Sequence, residues 1–166
     1  MPSKDAFSFT ASPATRRVLV VRPYGDRIRN RVFQVLERAG WSSQDCVPTG
    51  TDDEEAVRWV LHSPTRSLLV PFHGHRLDSG QSVDGLRFLL RLHQAAGGSF
   101  RWRVLMPYSH FAAPAVDLLV ASHDFERDYP KELRDALMLL SEDDLEDAGL
   151  PARIAAHLSS HDVGRR

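Results

Sequence analysis

Residues 17–41 read RVLVVRPYGDRIRNRVFQVLERAGW, and this stretch decides the fold class. Residues 17–21 (RVLVV) form a continuous β-branched run of the kind buried on both faces of a parallel sheet. A turn follows. From about Asp26 the residues Ile28, Val32, Val35 and Leu36 recur at helical spacing, and Ala39-Gly40 closes the pattern as a helix terminus does. A strand leading into an amphipathic helix is the opening of an α/β unit.

Downstream the alternation continues. A weak second strand is expected at 45–48, then a helix at 52–62 behind Thr51 and Asp52, with Ala56, Val57, Val60 and Leu61 inward. Residues 67–72 (SLLVPF) read as a third strand, 73–82 as a long loop, 83–93 as a third helix and 103–106 as a fourth strand. The run DLLVA at 117–121 predicts the fifth strand, leaving 110–116 room for about two helical turns. Residues 130–140 (PKELRDALMLL) then predict a helix with proline at its first position, and 151–159 a last helix. The expectation is a doubly wound α/β domain with a five-stranded parallel sheet, a shortened fourth helix and an extra C-terminal helix. It divides into a flexible arm at 1–15, a core at 16–140, and an acidic linker with a helix at 141–166.

Composition narrows the function classes. The 166 residues carry 21 basic and 22 acidic side chains, so no global charge holds nucleic acid or anionic lipid. No apolar run approaches the roughly 20 residues that span a bilayer, and 1–15 lacks a signal-peptide core, which predicts no membrane insertion and a cytoplasmic address. Cys46 is the single cysteine and reads as a small hydrophobe beside a strand. Trp41 and Trp59 read as core packing.

With the element order in hand, three stretches resemble response-regulator receiver domains. RVLVVRPYGDRIRNRVFQVLERAGW is similar to the receiver's first strand and helix. LLVPFHGHRLDSGQSVDGLRFLLRLH is similar to its third strand and helix, with Val83-Asp84-Gly85-Leu86 at the helix start. DLLVASHDFERDYPKELRDALMLL resembles its fifth strand and helix, so the likeness spans roughly 16–140. It implies a flavodoxin-like sheet of order 2-1-3-4-5 and aspartyl phosphorylation by a histidine kinase. That chemistry needs an acidic pair after strand one for Mg²⁺, an aspartate ending strand three, a hydroxyl after strand four and a lysine after strand five.

This chain departs from the pattern at each place. Arg22 and Pro23 stand where the acidic pair belongs, and Pro71, Phe72 and His73 where strand three ends. Pro107 and Tyr108 follow strand four with Ser109 two residues late, and Ala121-Ser122 replace the lysine. Arg22, Pro23, Phe72, Pro107 and Ala121 thus mark a degenerate phosphorylation site. The expectation is a pseudo-receiver that needs no cofactor, is not an enzyme, and acts as an adaptor on protein partners in a bacterial-type signalling or cell-organisation system. A second copy of the chain is one candidate partner. The resemblance points to the face of strands four and five with helix five, carrying Tyr108, Phe111, Phe125 and Tyr129.

Two other chemistries stay open. Arg22 and Arg27, near the end of strand one, could grip a phosphorylated small molecule or a cyclic dinucleotide, where doubly wound sheets place ligands. His73 and His75, two apart on an extended segment, could supply two metal ligands, although no HExxH or CxxC spacing supports them.

Overall fold

A computed structural model describes residues 16–21, 26–47, 51–76 and 82–163. β1 (Arg17–Val21) pairs in parallel with β2 (Ser42–Val47) on one side and β3 (Ser67–Leu69) on the other. A short antiparallel pair, β4 (His73–Arg76) and β5 (Ser82–Asp84), stands apart from the main sheet. β6 (Arg103–Tyr108) and β7 (Leu137–Ser141) complete a five-stranded parallel sheet of order β2-β1-β3-β6-β7, the expected 2-1-3-4-5 succession.

Both faces of this sheet are covered, because the run RVLVV is apolar on both. Leu19 and Val21 join the cluster beneath α2 (Asp53–His62) and α3 (Gly85–Ala95). Val18 and Val20 join the opposite cluster, with Ile28, Val32, Val35 and Leu36 of α1 (Asp26–Arg38). α2 starts where the sequence predicts, with the Asp52 side chain accepting the Glu55 backbone N–H at 2.8 Å.

The far edge of the sheet departs from expectation. Residues 117–121 are not a strand: they lie in α4 (Ala113–Ala121), which is followed by α5 (His123–Asp128) and α6 (Lys131–Ala136). The fifth strand is LMLLS, residues expected at the end of a helix. Both runs are short and apolar, and periodicity alone does not type such runs. The edge of β6 decides between them. Against it, Met138 and Leu140 pack into the α1 cluster while Leu137 and Leu139 pack into the α2–α3 cluster. DLLVA instead follows Pro114 of the first helical turn, and in α4 only Val116, just before the run, is buried.

Two further readings change with it. The crossover from β6 to β7 holds three helices, so the fourth helical region is divided rather than shortened. α7 (Leu150–Val163) packs into the core, with Leu150, Ile154 and Leu158 fully buried against α1 and the sheet. A boundary at 140 cuts through β7, and residues 141–163 belong to the core unit. The arm at 1–15 lies outside the described residues.

Smaller corrections concern single residues. α3 begins at Gly85 rather than Val83 because the chain passes close to β3 there. Gly85 N–H donates to the Phe72 carbonyl at 3.1 Å, and a Cβ on Gly85 would collide with the carbonyl oxygen of Pro71. Trp41 is buried as expected, but Trp59 is 46% exposed on α2. No described helix is long and apolar enough to cross a membrane.

Candidate functional site

The carboxyl ends of β1, β3, β6 and β7 converge where doubly wound folds place their chemistry. β3 runs on past its last ladder residue, with Val70 N–H donating to Leu105 at 2.9 Å and Phe72 N–H donating to Pro107 at 3.0 Å. Pro71, Phe72 and Pro107 are all buried. Beneath these ends Val20, Ile28, Arg29, Val32, Leu69, Pro71 and Pro107 leave a cavity of only about 10 Å³, roughly one water's worth of space. The end of β3 therefore offers proline and phenylalanine in place of a carboxylate.

The hydroxyl beyond β6 is already occupied. Ser109 accepts the Ala112 N–H at 3.3 Å and caps the 3₁₀ turn His110–Ala112. Because the fifth strand is β7, the position that sequence reading assigned to Ala121-Ser122 belongs to Ser141-Glu142. Ala121 is an exposed residue at the end of α4, and Ser122 caps α5 by accepting the Phe125 N–H at 3.2 Å. Ser141 opens a capping box, accepting from Asp143 N–H at 3.2 Å while its own N–H donates to Asp144 at 3.3 Å. Glu142 beside it is buried, so a carboxylate rather than an ammonium ends this strand. The S-E-D-D run after an apolar stretch was the sequence signal for that turn.

Tyr108 pairs with Ser141 across β6 and β7. Burial pushes its hydroxyl above the ordinary tyrosine range, Asp117 pushes the same way, a hydrogen bond with Ser141 opposes, and Asp144 and Asp143 add to the rise. Three carboxylates from two segments thus act on one phenol, which stays protonated.

The four aromatics expected to bind protein separate. Phe111 is 93% exposed, whereas Phe125 is a core residue whose ring lies 5.4 Å from that of Tyr129. Tyr108 and Tyr129 are half-buried. Phe125 is therefore withdrawn as a contact residue, because α5 turns it inward. Leu118, which the sequence reading hid in a strand, is 75% exposed, and Val120 is also exposed. Phe111, Pro114, Ala115, Leu118 and Ala121 are all exposed at spacings of three or four residues, an apolar stripe along one side of α4. His110, stacked edge-on against Phe111 at 6.0 Å, meets Asp143 at 3.2 Å and ties this turn to the turn after β7.

The other candidates fall mainly outside the described residues or side chains. Arg22 and Pro23 lie outside the described residues, and Arg27 is placed on α1 by its backbone alone. His73 and His75 lie on β4, opposite β5, and their side chains are likewise outside the description. Among the described residues no group of three potential metal ligands occurs. Cys46 is exposed on β2, with burial pushing its thiol up and Arg29 opposing. Trp59 lines an open groove of about 880 Å³ with Arg17, Leu19, Arg58 and His62.

Comparison of the fold gives a consistent answer. The chain superposes on the signal receiver domain of a putative LuxO repressor protein from Vibrio parahaemolyticus with a TM-score of 0.54 and 16% identity, covering 90% of this chain and 95% of that one. It also superposes on the receiver domain of AraT, a response regulator from Geobacillus stearothermophilus, with a TM-score of 0.51, 12% identity, and coverage of 89% and 98%. A CheY-like receiver domain protein from Methanospirillum hungatei JF-1 gives a TM-score of 0.51 at 14% identity, with coverage of 90% and 98%. No protein-family model and no curated protein matches the sequence. The chain has the fold of response-regulator receiver domains, and at these identities the likeness is one of fold.

Proposed function

We propose that this chain is a signalling adaptor of receiver fold that acts by binding protein and not by catalysis or aspartyl phosphorylation. The observation that carries the reading is the exposed apolar stripe of Phe111 in the 3₁₀ turn and Leu118 on α4. A soluble surface that keeps a phenylalanine and a leucine in water at one helical spacing is the mark of a contact face. The carboxyl edge supports the same reading, since Pro71, Phe72 and Pro107 fill the end of β3 where a phosphoryl acceptor and its metal need open, charged space.

Two measurements test this together. Incubation with acetyl phosphate and Mg²⁺, followed by intact-protein mass spectrometry, is expected to give no aspartyl phosphate. Capture of partners from native extract is expected to fall when Phe111→Asp and Leu118→Asp are combined, with the fold checked by circular dichroism. A stoichiometric phosphoaspartate, or unchanged capture by the double variant, overturns the proposal.

A further inference from the structure

The near-neutral total charge conceals a strong asymmetry. Between Tyr108 and Glu146 there are ten acidic side chains and three basic ones, a net charge of −7, while the rest of the chain carries +6. This acidic segment is the one that builds the end of β6, α4 to α6, β7 and the turn beyond it. Two of its three basic side chains face local carboxylates, Arg127 meeting Asp124 at 2.8 Å and Asp128 at 2.9 Å and Lys131 meeting Asp135 at 3.3 Å, while Arg134 donates to the Tyr129 carbonyl at 3.0 Å. Asp117 stands on α4 next to Leu118, and Asp143 lies 3.2 Å from His110, the neighbour of Phe111. The apolar stripe is thus bordered by carboxylates.

We infer that the α4 stripe receives an amphipathic helix whose apolar side chains meet Phe111 and Leu118 and whose flanks are lysine- or arginine-rich. This rests on the adaptor reading and adds the chemistry of the partner. The stripe runs about 15 Å, the length of roughly three helical turns, so a partner helix laid alongside presents leucine-type residues at three- and four-residue spacing. Its cations meet Asp117 and Asp143, which fixes orientation and speeds association. Charge also decides against other occupants. A second copy placed face to face would bring two segments of net charge −7 together, and an anionic membrane surface would be repelled.

The test uses the full chain and two synthetic peptides of about 18 residues, long enough to form an isolated helix in part. They share one leucine face and differ only in carrying lysine or glutamate elsewhere, and binding is read by fluorescence anisotropy. The lysine peptide is expected to bind saturably and at least about tenfold more tightly than its glutamate twin, a gap that narrows as salt rises from about 50 to about 500 mM. Leu118→Asp is expected to weaken it at least about tenfold, and the pair Asp117→Lys with Asp143→Lys to remove most of the preference for the lysine peptide. Equal binding of the twins, binding of neither, or binding untouched by Leu118→Asp overturns the inference. So does a wild-type dimer in sedimentation that Leu118→Asp dissociates. If the peptides show no charge preference while capture of a natural partner still depends on Phe111 and Leu118, the adaptor reading stands and only the partner chemistry falls.

Discussion

His157 Nε2 donates to the carbonyl oxygen of Ala136 at 3.0 Å, tying α7 to the point where α6 turns into β7. The same nitrogen lies 3.2 Å from the carbonyl oxygen of Val104 on β6. Both partners can only accept, so Nε2 carries the ring proton. One imidazole therefore helps lock the last helix onto β6 and the junction of α6 with β7.

That latch is pH-dependent in a definite direction. Burial holds the His157 imidazole below the usual histidine range; the two carbonyl hydrogen bonds oppose, and Arg103 adds to the lowering. The unfolded chain protonates near about pH 6.5, so it binds more protons than the native state just below that pH. The stability that His157 contributes is complete above the unfolded value and is lost as pH falls towards the folded one. Urea unfolding at about pH 7.5 and about pH 5.5 is expected to show a smaller loss of stability for His157→Gln than for the wild type. An identical loss in both proteins removes His157 as the source.

Gly85 sets a second expectation, from space alone. A methyl group at this position meets the carbonyl oxygen of Pro71, with the Met106 methyl 3.1 Å away on another side. Backbone cannot yield as a flexible side chain does, so Gly85→Ala is expected to cost about 1–3 kcal/mol. Chemical denaturation measures it, and the matched change Gly98→Ala sits in open space but at a φ of +83°, so its cost reports backbone strain rather than collision.

The place of the C-terminal residues in the core is tested by truncation. Ile154 and Leu158 are fully buried between α1 and the sheet. Leu158→Ala is expected to cost about 2–5 kcal/mol, and a chain ending at residue 140 to lose cooperative unfolding altogether. A cooperative melt from that shortened chain would contradict the packing of α7.

α4 offers a contrast within one helix. Val116 is buried and Leu118 is 75% exposed two residues later. Leu118→Asp is expected to change stability by no more than about 0.5 kcal/mol, while Val116→Asp, which buries an unpaired carboxylate, costs several times as much. Thermal melts of the two variants decide whether the stripe is surface or core.

The sequence made the fold legible as far as β6 and again at α7, and misread the segment between them. RVLVV followed by a helical repeat and Ala39-Gly40 left little choice for β1 and α1. At the other edge, DLLVA and LMLLS present similar short apolar runs, and local pattern cannot separate them. The error propagated: taking 117–121 as the strand placed Ala121 at the end of the sheet. It also hid the exposure of Leu118, since a buried strand and an exposed apolar helix have the same composition.

By itself, then, the sequence determined an α/β chain with a parallel sheet, and side chains at the ends of β3 and β6 that carry no acidic acceptor. Periodicity and residue type suffice for both, because they are local. Tertiary structure alone decided which run became β7 and which aromatics reach the surface. Those outcomes depend on what a segment packs against: the open edge of β6 selects LMLLS, and only then does α4 stand outside the sheet with Phe111 and Leu118 in water.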